Sequence, residues 1–130
     1  MKKLLTAAAI FAVSATVAVA DPVEGIWQTQ VDDGAYAHVN IAPCGSKICG
    51  TIARTFKGGK EYKSANIGKQ IIIGMVPAGN GKYKGKVWRP SNNKIYKGDL
   101  QLQGKSLRLR GCVGVCTALT SASQTWARVK

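Results

Sequence analysis

The sequence predicts an all-β domain, a sandwich or barrel of about eight short strands, and three observations carry that expectation. Apolar residues recur with a period of two along much of the chain, the spacing that puts every second side chain on one face of a strand. Between the alternating runs stand Asp33-Gly34, Gly45-Ser46, Gly79-Asn80-Gly81, Ser91-Asn92-Asn93 and Gly104, residues that supply the positive backbone angles or side-chain hydrogen bonds of tight turns. No stretch after Asp21 carries an apolar stripe at helical spacing.

Taken in chain order, the expected strands are 25–31, 36–42, 48–54, 70–76, 82–88, 96–103, 107–110 and 123–129. The second half reads most clearly. Lys82-Tyr83-Lys84-Gly85-Lys86-Val87-Trp88 sets Tyr83, Gly85 and Val87 on one face and the lysines on the other. Tyr96 to Gln103 repeats the pattern, as does Leu107-Arg108-Leu109-Arg110, so these strands bury one face and wet the other. Most links are short enough for hairpins. Residues 55–69 are the exception, a polar segment with Phe56, Gly58-Gly59, Tyr62 and several lysines, and a loop of that length is more often functional than bland.

Upstream of the strands, Met1-Lys2-Lys3 is a short positive region, residues 4–19 form an Ala-rich apolar run, and Ala18-Val19-Ala20 places small residues before Asp21. That layout reads as a secretory signal peptide, residues 1–20, cleaved after Ala20. A retained anchor needs about 20 strongly apolar residues, and this run is short and followed by Asp21 and Glu24. No Cys near the junction offers a site for lipid attachment. The expected mature chain is 21–130, a single domain of 110 of the 130 residues, located in the periplasm or secreted. Losing Lys2 and Lys3 takes the formal charge from +13 to +11. No transmembrane segment is expected after the signal.

A domain this small buries a modest core, and in an oxidising compartment its four cysteines are expected to staple it. Cys44 and Cys49 flank Gly45-Ser46-Lys47-Ile48, while Cys112 and Cys116 flank Val113-Gly114-Val115. Neither spacing is the Cys-x-x-Cys of zinc ribbons or thiol oxidoreductases. Each pair brackets a turn whose ends can approach the ~5.5 Å Cα separation of a disulfide, so Cys44–Cys49 and Cys112–Cys116 are the favoured pairs. A four-thiolate metal site and free thiols are the alternatives.

An ordered set of motifs runs along nearly the whole mature chain. It comprises Gly25-Ile26-Trp27, Ile41-Ala42-Pro43-Cys44-Gly45 followed by Ile48-Cys49-Gly50-Thr51-Ile52, Gly85-Lys86-Val87-Trp88-Arg89-Pro90, Leu107 to Gly111, and Gln124-Thr125-Trp126-Ala127-Arg128-Val129. Together they resemble the DUF2147 family, small exported bacterial proteins without an established activity. In the long loop, where that family tends to carry an acidic residue, an Asn and an Arg, this chain has Ala65-Asn66-Ile67-Gly68-Lys69, and only Asn66 corresponds. Gly-x-Trp on the first strand and an Arg near the end also resemble the lipocalin-like, or calycin, pattern. That resemblance implies an antiparallel up-and-down β-barrel of about eight strands, with Trp27 packed beneath Arg128 to close one end. A guanidinium stacked on an indole contributes ~1 to 2 kcal/mol when desolvated. The competing reading makes Trp27 an ordinary core aromatic.

Catalytic chemistry finds little support. His38 is the one histidine, in an alternating strand beside Tyr36 and Asn40. Of the six acidic residues, Asp21, Glu24, Asp32, Asp33 and Glu61 lie near the terminus, in a turn or in the long loop, and Asp99 stands alone on a strand. A carboxylate-pair hydrolase would hold two at a fixed separation in a cleft. No phosphate loop, nucleophile elbow or His-rich metal motif occurs, so neither an enzyme nor a cofactor is expected. What remains is charge. Lys82, Lys84 and Lys86 project from one strand face and Arg108 and Arg110 from another, and a field of this sign attracts anions. Nucleic acid is not an expected partner in an envelope compartment, where lipopolysaccharide, anionic phospholipid and acidic glycans are. The bland reading is solubility and protection of sheet edges. Two functions therefore compete: a barrel that binds a small or lipidic ligand, which the lipocalin resemblance implies, and a surface module that holds an anionic envelope component or inhibits a partner enzyme through its basic faces. An eight-stranded barrel is just wide enough for its own side chains or one small ligand, so a solidly packed interior would leave only the second.

Overall fold

The computed structural model describes residues 20–117 and 120–130. The expected signal segment, apart from Ala20, lies outside them. Nine strands occur in order: β1 (Gly25–Gln28), β2 (Ala35–Cys44), β3 (Lys47–Lys57), β4 (Lys60–Tyr62), β5 (Gln70–Gly79), β6 (Lys82–Arg89), β7 (Lys94–Gln103), β8 (Ser106–Cys112) and β9 (Ser121–Arg128). No helix occurs among the described residues.

All strands belong to one antiparallel sheet in the order β2-β1-β9-β8-β7-β6-β5-β3-β4, and a further β2–β3 pairing closes it. Eight strands thus make a closed up-and-down barrel of lipocalin type, as expected, with β4 a short flap on β3. Closure gives each barrel strand a neighbour on both sides, although β9 meets β1 only through Ala127 and Arg128. The hairpin links are the tight turns that the sequence predicts, and Asp33, Asn80 and Asn93 take positive φ of 53°, 54° and 54° there. Asn and Asp tolerate that region better than other side chains with a Cβ.

Register and burial agree on which side chains enter the barrel. Val87 pairs with Tyr96, Tyr83 with Leu100 with Leu109, and Leu107 with Trp126, all on the inner side. With Trp27, Val39, Ile41, Ile48, Ile52, Ile72 and Met75 they form one continuous core. Gly98 shares that inner face, and a Cβ there would come within 2.7 Å of a Val87 methyl carbon. The glycine lets Val87 fill the lumen.

The segment 55–69 departs from expectation. β3 continues to Lys57, turns at Gly58-Gly59, and β4 pairs Thr55 with Tyr62 and Lys57 with Lys60. An irregularity in the β2–β3 ladder explains the difference. His38 faces Arg54 but Val39 faces Ile52, leaving Ala53 as an extra residue. Such a bulge flips the facing of the residues beyond it, so Thr55 is buried and Phe56 points outward. The period of two breaks at the point where the sequence predicts the strand to end.

Candidate functional site

The two ends of the barrel are built differently. At one end lie the starts of β1, β3, β6 and β8 and the ends of β2, β5, β7 and β9. Trp27 is fully buried there, and its indole Nε1 donates to the Val23 carbonyl at 2.8 Å. The Arg128 guanidinium lies 4.3 Å above the indole ring. Its Nη1 donates to the Glu24 carbonyl at 3.0 Å and its Nη2 to the Pro22 carbonyl. The segment before β1 is thereby folded across the opening. Gly25 is required in this arrangement: its φ is 137°, and a Cβ would stand 2.8 Å from Arg128 Nη1. Tyr83 donates its hydroxyl to Asp21, and burial first, then that hydrogen bond, holds its phenol well above the usual range. Cys44 and Cys49 are disulfide-bonded across the β2–β3 hairpin at this end, with Cα atoms 5.7 Å apart.

The opposite end is open. A cavity of about 750 Å³ enters the barrel there, with Val87, Tyr96, Leu109 and Gly111 among its walls, Arg89 and Asp32 at its sides, and residues 121–124 of β9 along one edge. Its opening continues into the wall, because the β1–β9 contact, which bonds Ile26 to Val129 and Lys130 and pairs Trp27 with Arg128 and Gln28 with Ala127, stops there. Beyond that, among the described residues, the Gln30 side chain reaches across, accepting from the Thr125 amide at 3.1 Å. The β6–β7 turn orients aromatic side chains at this mouth. Asn92 donates to the Tyr96 hydroxyl at 2.6 Å, and Trp88 Nε1 donates to Asn93 at 3.0 Å. Lys69 sits over Trp88, its ammonium 5.4 Å from the ring centre. Cys112 and Cys116, bonded with Cα atoms 5.1 Å apart, clamp the loop that carries Val113 and Val115 beside the mouth.

The two cysteine pairs stand at opposite ends, so they cannot share a metal ion. Asp99 lies within 4.8 Å of the Cys112 and Cys116 sulfurs. Those sulfurs are bonded to each other, and the Asp99 carboxylate accepts two hydrogen bonds from Arg110, at 2.9 and 2.6 Å.

On the outer wall Lys82, Lys84, Lys86 and Arg108 are exposed, while Arg110 is half-buried. The ladder places Lys84 opposite Asp99 and Asp99 opposite Arg110. An acid thus divides the basic faces, and Gln101 separates Lys82 from Arg108 in the neighbouring row. His38 also faces outward, bonded to Gln28 at 3.1 Å and packed 4.8 Å from Phe56, which stacks on Tyr36. Burial first, then the Arg54 charge, keeps its imidazole below its ordinary value. Arg54 is held by Glu61 in a two-bond pair at 2.8 and 2.7 Å, which lowers the Glu61 carboxyl. These groups tie β1, β2, β3 and β4 together, and none lines the mouth cavity.

The mouth residues carry no distinctive pattern in the sequence, since Val113 and Val115 stand inside a cysteine spacing and 121–124 alternates like any strand. The available signal is an apolar pair inside a disulfide loop.

A closed antiparallel barrel, stoppered at one end and hollow at the other, is lipocalin-like in class. The chain belongs to the DUF2147 family, described as uncharacterized protein conserved in bacteria, whose model matches residues 25–128. No curated protein matches it. Among solved structures it is similar to protein HP1028 from the human pathogen Helicobacter pylori, described as belonging to the lipocalin family, with a TM-score of 0.66 at 16% identity over 82% of each chain. That likeness concerns the fold.

Proposed function

We propose that this protein is exported and binds a small, partly apolar ligand in the open mouth of its barrel. The observation that carries the reading is the cavity of about 750 Å³, within the ordinary range of about 300–1,000 Å³ for ligand sites. Its walls combine apolar surface from Val87, Tyr96 and Leu109 with polar groups from Gln124, Ser121 and Ser123. Such a mixture binds by burial of apolar area and fixes orientation with a few hydrogen bonds. Trp88 and Tyr96 are held in place by Asn93 and Asn92 before any ligand arrives, which lowers the ordering cost of binding. Arg89 and Asp32 face the same space, so charge at either pole of a ligand has a partner.

The experiment is saturable binding of the fluorescent apolar anion anilinonaphthalene sulfonate, compared with Ala122→Trp. Ala122 lines the cavity and is exposed, so the substitution fills space without disturbing the core. Saturable binding that Ala122→Trp removes supports the reading. Binding that is unsaturable, or indifferent to Ala122→Trp, overturns it.

The basic strand faces give the second reading, an anion-binding exterior through Lys82, Lys84, Lys86, Arg108 and Arg110. Exposure of Lys82, Lys84, Lys86 and Arg108 supports it. The Asp99–Arg110 ion pair weakens it, because Arg110 already has its anion.

A further inference from the structure

We infer that the rim of the open mouth, on the side of β7 and the disulfide loop, is a docking surface for an anionic phospholipid bilayer. Large apolar side chains are exposed together there: Ile95 is 59% exposed, Val113 67% and Val115 75%. The ladder that pairs Lys97 with Cys112 brings the start of β7 alongside the loop leaving β8, which joins these residues into one sector. Trp88, opposite Ile95 on β6, extends it with a half-exposed indole. Single exposed apolar residues need no explanation, but a contiguous group at the mouth of a cavity marks an interaction site. The Cys112–Cys116 bond draws the ends of this loop to 5.1 Å apart, and Val113 and Val115 between them remain in solvent.

The charge around this sector selects the occupant. Lys69, Arg89, Lys94 and Lys97 are all exposed at this end. No carboxylate pairs with any of them; the ion pairs among the described residues are Arg54–Glu61 and Arg110–Asp99. Of the acids near this end, Asp32 and Asp33 sit across the mouth on the β1–β2 turn, while Asp99 beside the Cys112–Cys116 bond is taken up by Arg110 and Glu61 on β4 by Arg54. An apolar tip fringed by cations, with a tryptophan at its border, matches a leaflet of anionic lipid, where apolar side chains enter the headgroup boundary and lysines meet phosphates. A protein partner would more often meet such a surface with its own aromatic anchors and acids. Docked this way, the cavity opens toward the lipid.

The site differs from the strand faces around Lys82, Lys84 and Arg108, and this makes it testable. The full mature protein is sedimented with vesicles of phosphatidylglycerol and phosphatidylcholine in equal parts, and with phosphatidylcholine alone, at low and high salt. The expected result is partitioning to the anionic vesicles that falls as salt rises. Val113→Ser with Val115→Ser should weaken it by about five-fold or more, the scale of lost apolar insertion. Lys94→Glu with Lys97→Glu should weaken it by about ten-fold or more. Lys82→Glu with Lys84→Glu and Arg108→Glu should change it by less than about three-fold, because those residues lie on the wall rather than the rim. Thermal melts of all variants should match the parent. Absence of binding at low salt overturns the inference, as does equal binding to neutral vesicles or loss of binding through the wall variants alone. Concentration-dependent self-association abolished by the valine variants would also overturn it, by showing that a second copy covers the surface. Because the cavity is probed separately with a soluble fluorophore, failure here leaves the ligand site standing or falling on its own result.

Discussion

At the Trp27 end of the barrel, a tryptophan, an arginine and a disulfide hairpin make a stopper; at the other end Trp88, Arg89 and the second disulfide loop stand around a hollow. The same residue types serve both ends, and their neighbours decide the outcome. Arg128 has carbonyls of Pro22 and Glu24 to bond and an indole face to cover, so its charge is fully used within the fold. Arg89 has no acidic partner among the described residues and faces a cavity. The Cys44–Cys49 pair closes a turn whose strands are bonded along their whole length. Cys112–Cys116 clamps a loop whose apolar side chains remain in solvent. A tryptophan or a basic residue therefore closes the barrel or lines a hollow according to the groups around it.

The largest way to break this contrast is to remove the stopper. Trp27→Ala should destabilise the protein by about 3 to 5 kcal/mol, as deletion of a buried large aromatic does. A loss under about 1 kcal/mol in denaturant melts would show that Trp27 closes nothing. At the open end Trp88→Ala should cost less than about 1.5 kcal/mol, since its indole is only half-buried. If the two substitutions were equally damaging, the ends would not differ as described.

The disulfides sharpen the comparison at a smaller scale. Each closes a loop of a few residues, for which chain entropy sets a ceiling of about 2 kcal/mol. Serine at Cys44 and Cys49 should lower stability within that limit and leave binding of the fluorophore unchanged. Serine at Cys112 and Cys116 should cost a similar amount and weaken binding as well, since Val113 lines the cavity. The paired measurement is a denaturant melt and a fluorescence titration for each variant.

The smallest expected effect is one of pH. His38 binds its proton less readily when folded than when unfolded, because burial and Arg54 disfavour the imidazolium. Its contribution to stability is therefore present above about the ordinary value of 6.5 and is lost as pH falls through the lowered folded value. His38→Gln should flatten the stability profile in that interval. The mouth carries no histidine, so ligand binding should be indifferent to the same pH change.

The alternation of Tyr83, Gly85, Val87 and of Leu100, Leu102 made the inner face legible, because each residue meets one environment and the strand has no bulge there. The Gly25-Ile26-Trp27 motif became intelligible once Arg128 was paired with it, since Gly25 leaves room for the guanidinium. Continuation of β3 past Arg54 was not legible, because the bulge at Ala53 turns Phe56 outward and breaks the period. The basic strand faces were legible as faces but not as a field. Asp99 reads alone in the sequence, and only the register sets it between Lys84 and Arg110. The cavity could not be read at all, since it arises from where β1 leaves β9, and that depends on the length of pairing rather than on any residue type.

If the open end binds and the other end only closes, a nuclear magnetic resonance titration with anilinonaphthalene sulfonate should move backbone amide signals at the mouth alone, at Val31, Tyr96, Gly111, Val113 and Ser121 to Gln124, with Gly25, Trp27, Cys44 and Arg128 unmoved. Shifts centred on Trp27 and Arg128, or spread along Lys82, Lys84 and Arg108 on the outer wall, would contradict that division.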